Sequence, residues 1–275
     1  MAQAQRSFDA QADSFDQQKG VPDAAGEAIA RAVLGIARPS PADVLLEVGP
    51  GTGQIGHHLC ALPVRYVGFD SSKEMLAVFE RRCHASGRSA SLIHADGRRR
   101  WPVGDRTVKA VFGSRVLHLL PVEHVVDEFL RVANRGAAAL IVGRVQRAED
   151  SVAGRMRRYM HELLEQGGSS GTDAQRHERL IMAALCGGGA VAFEPRVVAS
   201  WPVQTSAAAV LDSWREKPDL GGVAVSAPVK ATVLTQLERW AKETLGSLET
   251  VHSSNERYML AGVRLPDQRG GMHEE

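Results

Sequence analysis

A glycine-rich stretch early in the chain has the residue types of a ligand-binding loop. It reads LLEVGPGTGQIGHHL over residues 45–59. The spacing G-x-G-x-x-G, which starts at Gly51, is that of a dinucleotide fingerprint. The spacing E-x-G-x-G-x-G, which starts at Glu47, indicates a different cofactor. In both assignments a strand-to-helix turn brings the main chain close to a ligand and directs helix N–H groups toward it.

The acid at the end of the predicted strand decides between the two assignments. Glu47 lies two residues before Gly49, where a carboxylate would crowd the pyrophosphate of a dinucleotide. A carboxylate there suits a cationic group, such as the ammonium of an amino acid. The sequence therefore favours a cofactor with a cationic end, and a nicotinamide-dependent oxidoreductase is the less favoured alternative.

Two further acids follow the next predicted strands. Asp70 ends the segment RYVGFD, where acids in such folds accept hydrogen bonds from ribose hydroxyls. Asp96, in the segment HADG, ends the third strand and could accept a hydrogen bond from an adenine amino group. Three acids at three successive strand ends would form one ligand-binding edge.

Alternating strands and helices must hold these residues. Short apolar runs predict strands at 43–48, 65–70, 90–96, 108–114 and 137–143, and helical patterns separate most of them. This alternation predicts an α/β fold with a doubly wound, mostly parallel sheet that is covered on both faces.

The rest of the chain is interpreted as parts of a single domain over 1–275. Amphipathic helices bounded by glycine-rich breaks predict a helical cap insertion at 146–189. The other parts are an N-terminal helical segment at 1–40, a cofactor-binding core at 41–145 and a C-terminal part of the sheet at 190–265.

Composition favours a small-molecule partner. The 33 Lys and Arg residues balance 32 Asp and Glu residues, for a net charge of +1, so no overall charge drives binding to nucleic acid or to an anionic membrane. Three scattered cysteines do not make a disulfide framework. With a polar N-terminus and no long apolar run, we expect a soluble, cytoplasmic protein. Both a monomer and a homodimer stay open.

The motifs EVGPGTG, GFDSSKEML and HADG, in this order and spacing, resemble those of the class I S-adenosylmethionine-dependent methyltransferases. The small-molecule group similar to the ubiquinone/menaquinone C-methyltransferases is nearest, and the resemblance runs through residues 8–145. It implies a Rossmann-like seven-stranded sheet with an antiparallel last strand at 256–264. It also implies S-adenosyl-L-methionine as cofactor and methyl transfer to an oxygen, nitrogen or carbon of a small organic molecule, such as a secondary metabolite or a quinone-like acceptor.

The resemblance also assigns the cofactor contacts. Glu47 is expected toward the methionine end, Asp70 at the ribose and Asp96 near the adenine. The remaining cofactor-binding residues that it implies are Gly49, Gly51, Gly53, Ser71, Met75 and Gly97. The chain departs from the family at Phe15, where a tyrosine is frequent, and at Ser114 and Arg115, where many relatives are more apolar; we count Phe15 and Ser114 with the cofactor-binding residues.

Catalytic and acceptor-binding residues are predicted from position. His118 follows the fourth strand, at the edge where ligands bind in open sheets, and could act as a general base or simply pack. Arg115 could pair with an acceptor carboxylate or be exposed. Contacts with the methyl acceptor are predicted for apolar and aromatic residues of later helices, which could instead only pack against the hydrophobic core. These residues are Met156, Tyr159, Met160 and Trp214.

Other functions stay open as alternatives. A non-catalytic protein could keep the cofactor site and lack an acceptor site. An RNA or protein methyltransferase would need a basic or extended docking face. His57, His58 and His94 have no companions in sequence that would complete a metal site, so no metal is predicted.

Overall fold

The computed structural model describes residues 20–168, 174–217 and 219–267. Phe15 lies outside the described residues. Seven strands form one sheet: β1 (Val44–Val48), β2 (Arg65–Asp70), β3 (Ser91–His94), β4 (Val108–Ser114), β5 (Ala139–Arg147), β6 (Val191–Thr205) and β7 (His252–Arg264). The helices are α1 (Asp23–Ala37), α2 (Gly56–Leu59), α3 (Lys73–Ala85), α4 (Val122–Val132), α5 (Val152–Gln166), α6 (Ala174–Gly187), α7 (Ala207–Glu216) and α8 (Ala227–Leu245), with a 3₁₀ turn at Leu117–Leu119.

The strands follow the order β3-β2-β1-β4-β5-β7-β6. The pairs β1 with β2, β2 with β3, β1 with β4 and β4 with β5 are parallel, and the last strand is antiparallel. The predicted Rossmann-like fold is therefore confirmed. The strand order reverses at β1, between β2 and β4, and ligands of such sheets bind at this switch point.

Apolar side chains explain why these segments form the centre of the sheet. All residues of β4 before Ser114 are buried, and four of the five residues of β1 are buried. Strands of a parallel sheet are covered on both faces, so they read as continuous apolar runs rather than as alternating patterns. The main core cluster includes Leu46, Phe69, Val111 and Phe129.

The chain divides into two compact units. Among the described residues, unit 1 consists of 20–144, 175–199 and 258–267 and contains most of the sheet. Unit 2 consists of the described residues within 145–174 and 200–257. In unit 2, helices α5, α7 and α8 bury a second apolar cluster of their own.

The two helices of the predicted cap insertion differ in their surroundings. Helix α5 contributes to the apolar cluster of unit 2. Helix α6 belongs to unit 1, where Ile181 and Leu185 pack in the main core cluster. The two units thus place α5 with α7 and α8 and place α6 in unit 1, and the cap insertion at 146–189 stays a prediction.

Within the described residues, no helix combines the length and the apolar character that crossing a membrane requires.

Candidate active site at the carboxyl edge of the sheet

Three glycines shape the loop that follows β1. Gly49, Gly51 and Gly53 all have positive φ, at 63°, 56° and 76°, a region that favours glycine. A Cβ atom on Gly49 would lie 2.5 Å from Val116, and one on Gly53 would lie 2.2 Å from the ring of Phe79. A Cβ on Gly51 would face open space. The loop is therefore packed tightly at its two outer glycines and leaves room for a ligand beside the middle one.

Asp70 joins this loop to the end of β2. Its carboxylate accepts hydrogen bonds from the backbone N–H of Gly51, at 3.0 Å, and from that of Ser72, also at 3.0 Å. These bonds fix the orientation of the carboxylate at the edge of the sheet. Each carboxylate oxygen has two lone pairs, so it can accept more than one hydrogen bond.

The next predicted cofactor residues lie at the start of α3. The hydroxyl of Ser72 caps this helix by accepting a hydrogen bond from the backbone N–H of Met75 at 3.2 Å. Ser71 is exposed at the turn before the cap, whereas Met75 is buried. The sequence predicted contacts at Ser71 and Met75 and missed the capping role of Ser72.

The segment after β3 is held by its own hydrogen bonds. Asp96 accepts a hydrogen bond from the backbone N–H of Arg98 at 2.9 Å. The carbonyl of Gly97 accepts one from the indole N–H of Trp101 at 3.1 Å. A Cβ on Gly97 would lie 3.2 Å from Leu120. The half-buried Asp96 thus caps a local turn, and contact with an adenine stays a prediction.

Glu47 is the most perturbed acid of the site. Its carboxylate is only 2% exposed and accepts a 2.6 Å hydrogen bond from the hydroxyl of Tyr66. Burial raises the pKa of Glu47 to about 7, against the opposing effect of the Tyr66 hydrogen bond. A buried carboxylate of this kind is stabilised by a proton or by a cationic partner.

Two glycines make room for this pair. A Cβ on Gly68 of β2 would lie 2.7 Å from the Tyr66 hydroxyl, and one on Gly56 would lie 2.7 Å from the Glu47 carboxylate. Gly68 also stands directly opposite Glu47 in the pairing of β1 with β2. Sequence reasoning missed Tyr66, although a glycine inside a strand is a signal for the close approach of another group.

A second hydroxyl pair lies at the end of β4. The hydroxyls of Ser114 and Tyr258 are 2.6 Å apart, and a Cβ on Gly143 would lie 2.2 Å from the Tyr258 hydroxyl. Burial raises the pKa of Tyr258 well above its usual range, so the phenol is neutral. Tyr258 lies on the last strand, far from Ser114 in sequence, and no local pattern connects the two.

The two predicted catalytic residues follow this pair. Arg115 has a positive φ of 58°, unusual for a residue other than glycine, and its backbone N–H donates to the carbonyl of Gly143 at 3.1 Å. His118 is half-buried in the 3₁₀ turn. Both residues, with Ser114, lie at the carboxyl end of β4, and their catalytic roles stay predictions.

The predicted acceptor-binding residues lie in unit 2. Met156, Met160 and Trp214 are buried in its apolar cluster. Tyr159 stacks on Trp240, with ring centroids 4.8 Å apart. All four therefore have packing roles in unit 2, and contact with an acceptor stays a prediction.

The paired histidines are also buried, in α2 after the glycine loop. The Nδ1 atom of His57 lies 2.8 Å from the carbonyl oxygen of Gly53. Burial lowers the pKa of His57, an effect larger than that of this hydrogen bond, which raises it. Burial therefore favours the neutral form of the ring.

Comparison with known proteins agrees with this geometry. A profile of the methyltransferase domain family matches residues 45–136, about a third of the chain, which contains the glycine loop, Asp70 and Asp96. No curated protein sequence matches the chain significantly.

Solved structures show the same fold at low identity. A candidate methyltransferase from Bacillus halodurans is 16% identical, with a TM-score of 0.55 over 86% of this chain and 98% of that chain. The [4+2]-cyclase SpnF is 14% identical, with a TM-score of 0.56 over 94% of each chain. A candidate sarcosine dimethylglycine methyltransferase from Galdieria sulphuraria is 12% identical, with a TM-score of 0.50 over 88% and 85%.

The domain match, the strand order and the glycine loop agree with one another. Residues 45–136 are similar to the methyltransferase domain family, and the sheet has the Rossmann-like fold of the solved structures. These similarities agree with the transferase activity and with the S-adenosylmethionine cofactor that the motifs predicted.

Proposed function

We propose that this enzyme transfers the methyl group of S-adenosylmethionine to an oxygen, nitrogen or carbon of a small organic molecule. The observation that carries the proposal is the arrangement of acids around the glycine loop: Asp70 is fixed by two backbone N–H groups, and Glu47 is buried with a raised pKa. The near-zero net charge also favours a small acceptor over a nucleic acid.

Each acid has a distinct task in this proposal. The anchored carboxylate of Asp70 accepts hydrogen bonds from the ribose diol. The carboxylate of Glu47, costly to bury alone, is stabilised by the positive charge of the cofactor's amino acid end. The open space beside Gly51 admits the cofactor to the loop.

The protein's contribution to the chemistry is alignment. When bound, the cofactor supplies an electrophilic methyl group on a positive sulfonium. The residues of the sheet edge hold it in one orientation, so that an acceptor atom can be placed in line with the bond that breaks. His118 would remove a proton where the acceptor is a hydroxyl or an amine, and Arg115 would pair with an anionic acceptor.

Calorimetry and product analysis test the proposal. We expect the protein to bind S-adenosylmethionine or its demethylated product in the micromolar range, on the order of −8 kcal/mol. Incubation with a library of small phenols, amines, acids and quinones should then release the demethylated product with a matching gain of one methyl group in the acceptor, measured by mass spectrometry.

The outcomes separate this function from its alternatives. Binding without turnover on any acceptor class would favour a non-catalytic protein that binds S-adenosylmethionine. Binding of NAD in place of S-adenosylmethionine in a competition titration would favour an oxidoreductase. No heat and no thermal shift with S-adenosylmethionine or its product would contradict the proposal.

A further inference from the structure

Three side chains from two helices meet beside the glycine loop. The carboxylate of Asp23, in the first turn of α1, has its Oδ1 atom 3.3 Å from Nε2 of His57 and 3.1 Å from Nε2 of His58. The three possible ligand atoms all lie within 4.8 Å of one another. Both histidine side chains are 90% buried, whereas the Asp23 side chain is 83% exposed. The cluster is therefore closed on the histidine side and open to solvent on the other.

The hydrogen bond of His57 fixes which of its nitrogens can bind a cation. A carbonyl oxygen only accepts, so the Nδ1 atom facing Gly53 must carry the ring proton. In the neutral ring, Nε2 then has a lone pair, and this lone pair faces the oxygen of Asp23. Two acceptors at 3.3 Å repel each other unless a proton or a metal ion lies between them.

His58 adds a second buried nitrogen. Its Nε2 atom is buried and makes no hydrogen bond within the described part of the chain, although Asp23 is near. A Cβ on Gly26 would lie 2.9 Å from the His58 ring. Glycine inside a helix such as α1 costs about 1 kcal/mol relative to alanine, and here it allows the ring to approach the helix.

The spacing and chemistry of the three atoms fit a metal ion. With ligands at about 2.0–2.1 Å from a tetrahedral Zn²⁺, neighbouring donor atoms lie about 3.3–3.4 Å apart, close to the 3.3 Å and 3.1 Å that separate Asp23 from the two imidazoles. Two imidazoles and one carboxylate form a donor set found in zinc and non-haem iron sites. In metal-binding histidines, the ring nitrogen that does not bind the metal usually donates a hydrogen bond that orients the ring, often to a backbone carbonyl. The Nδ1 atom of His57 makes such a bond.

We propose that Asp23, His57 and His58 bind a divalent transition-metal ion, with Zn²⁺ as the best match to the donors. The ion would join the start of α1 to α2, directly after the glycine loop. The sequence offered no companion for the two histidines, because Asp23 comes from a separate, earlier helix. The groove beside the cluster also contains Arg82, whose positive charge weakens the binding of a cation.

The site is tested by zinc titration of the full chain, free of any affinity tag and stripped with a chelator. Isothermal titration calorimetry and metal analysis should show one Zn²⁺ per chain, and the melting temperature should rise with Zn²⁺. Asp23→Asn should weaken this binding at least tenfold, because it removes the anionic ligand. Asp23 is exposed, so the variant should fold normally.

Glu27→Gln is the matched control. Glu27 is an exposed acid on the same helix that pairs with Arg31, outside the cluster, and its replacement should leave Zn²⁺ binding unchanged. Co²⁺ bound to the wild type should give visible absorption bands that are lost in Asp23→Asn. Absence of stoichiometric binding, or equal Zn²⁺ affinity in wild type and Asp23→Asn, would overturn the proposal.

Discussion

At the scale of single residues, Glu47 gives the protein a defined pH dependence. Its pKa is about 7 in the folded chain, against 4.5 for an ordinary glutamate. Because the pKa of Glu47 is higher in the folded chain than in the unfolded chain, protonation of Glu47 favours folding. This contribution to the free energy of unfolding is complete below about pH 4.5 and is lost as the pH rises through 7. A shift of this size corresponds to roughly 3 kcal/mol.

Glu47→Gln should therefore stabilise the cofactor-free protein at pH 8 and change its stability little at pH 5. The glutamine keeps a group that can accept the Tyr66 hydrogen bond and removes the buried charge. Thermal unfolding at both pH values measures the effect, and Glu80→Gln, at an exposed position of α3, is the control. Equal loss of stability at both pH values would show that the charge of Glu47 is not the cause.

Asp70 is predicted to contribute more to binding than to folding. Hydrogen bonds to a charged group contribute about 1.5–3 kcal/mol, so Asp70→Ala should weaken the binding of S-adenosylmethionine about tenfold to a hundredfold. Because the carboxylate also holds the backbone of Gly51 and Ser72, the loop should loosen as well.

Calorimetry of Asp70→Ala, with Asp127→Ala as an exposed control on α4, measures the loss. An unchanged dissociation constant would place the ribose elsewhere.

At the scale of elements, the middle glycine of the loop, Gly51, and the outer glycine Gly53 should respond differently to alanine. In Gly53→Ala the new Cβ would meet the buried ring of Phe79 at 2.2 Å, so the variant should lose several kcal/mol of stability. In Gly51→Ala the Cβ would enter open space, and the cost is the unfavourable φ alone, about 1 kcal/mol.

Gly51→Ala should still fold, and it should bind S-adenosylmethionine poorly because the methyl group fills space beside the loop. Thermal unfolding and calorimetry of both variants test this. If Gly51→Ala bound the cofactor as the wild type does, the open space would not be part of the cofactor site.

The elements were predictable to different degrees. The bounds of β2 and β4 agree with the sequence pattern, because mostly apolar residues form each of these strands. The amphipathic pattern of α6 predicts a helix, but it does not show which apolar cluster the helix contacts. Periodicity alone therefore cannot decide whether this helix is part of a cap. Pairs such as Ser114 with Tyr258, or Asp23 with the two histidines, depend on tertiary contacts between distant segments and leave no local signal.

At the scale of the whole molecule, the division into two units separates two kinds of residue. All predicted cofactor residues within the described chain lie in unit 1, and the predicted acceptor residues lie in unit 2. We propose that unit 2 sets the choice of acceptor and that unit 1 sets the choice of cofactor.

Met156→Ala tests this division. Met156 is fully buried in the apolar cluster of unit 2, and truncation of a buried methionine costs about 2–5 kcal/mol. We expect hydrogen exchange to accelerate in α5, α7 and α8, and turnover or acceptor preference to change, while the affinity for S-adenosylmethionine stays within a few fold.

Leu237→Ala, in the same cluster, is a second variant with the same expectation. A loss of cofactor affinity in both variants would show that cofactor binding depends on unit 2. A loss of stability with unchanged turnover of every acceptor would show that α5 has only a packing role.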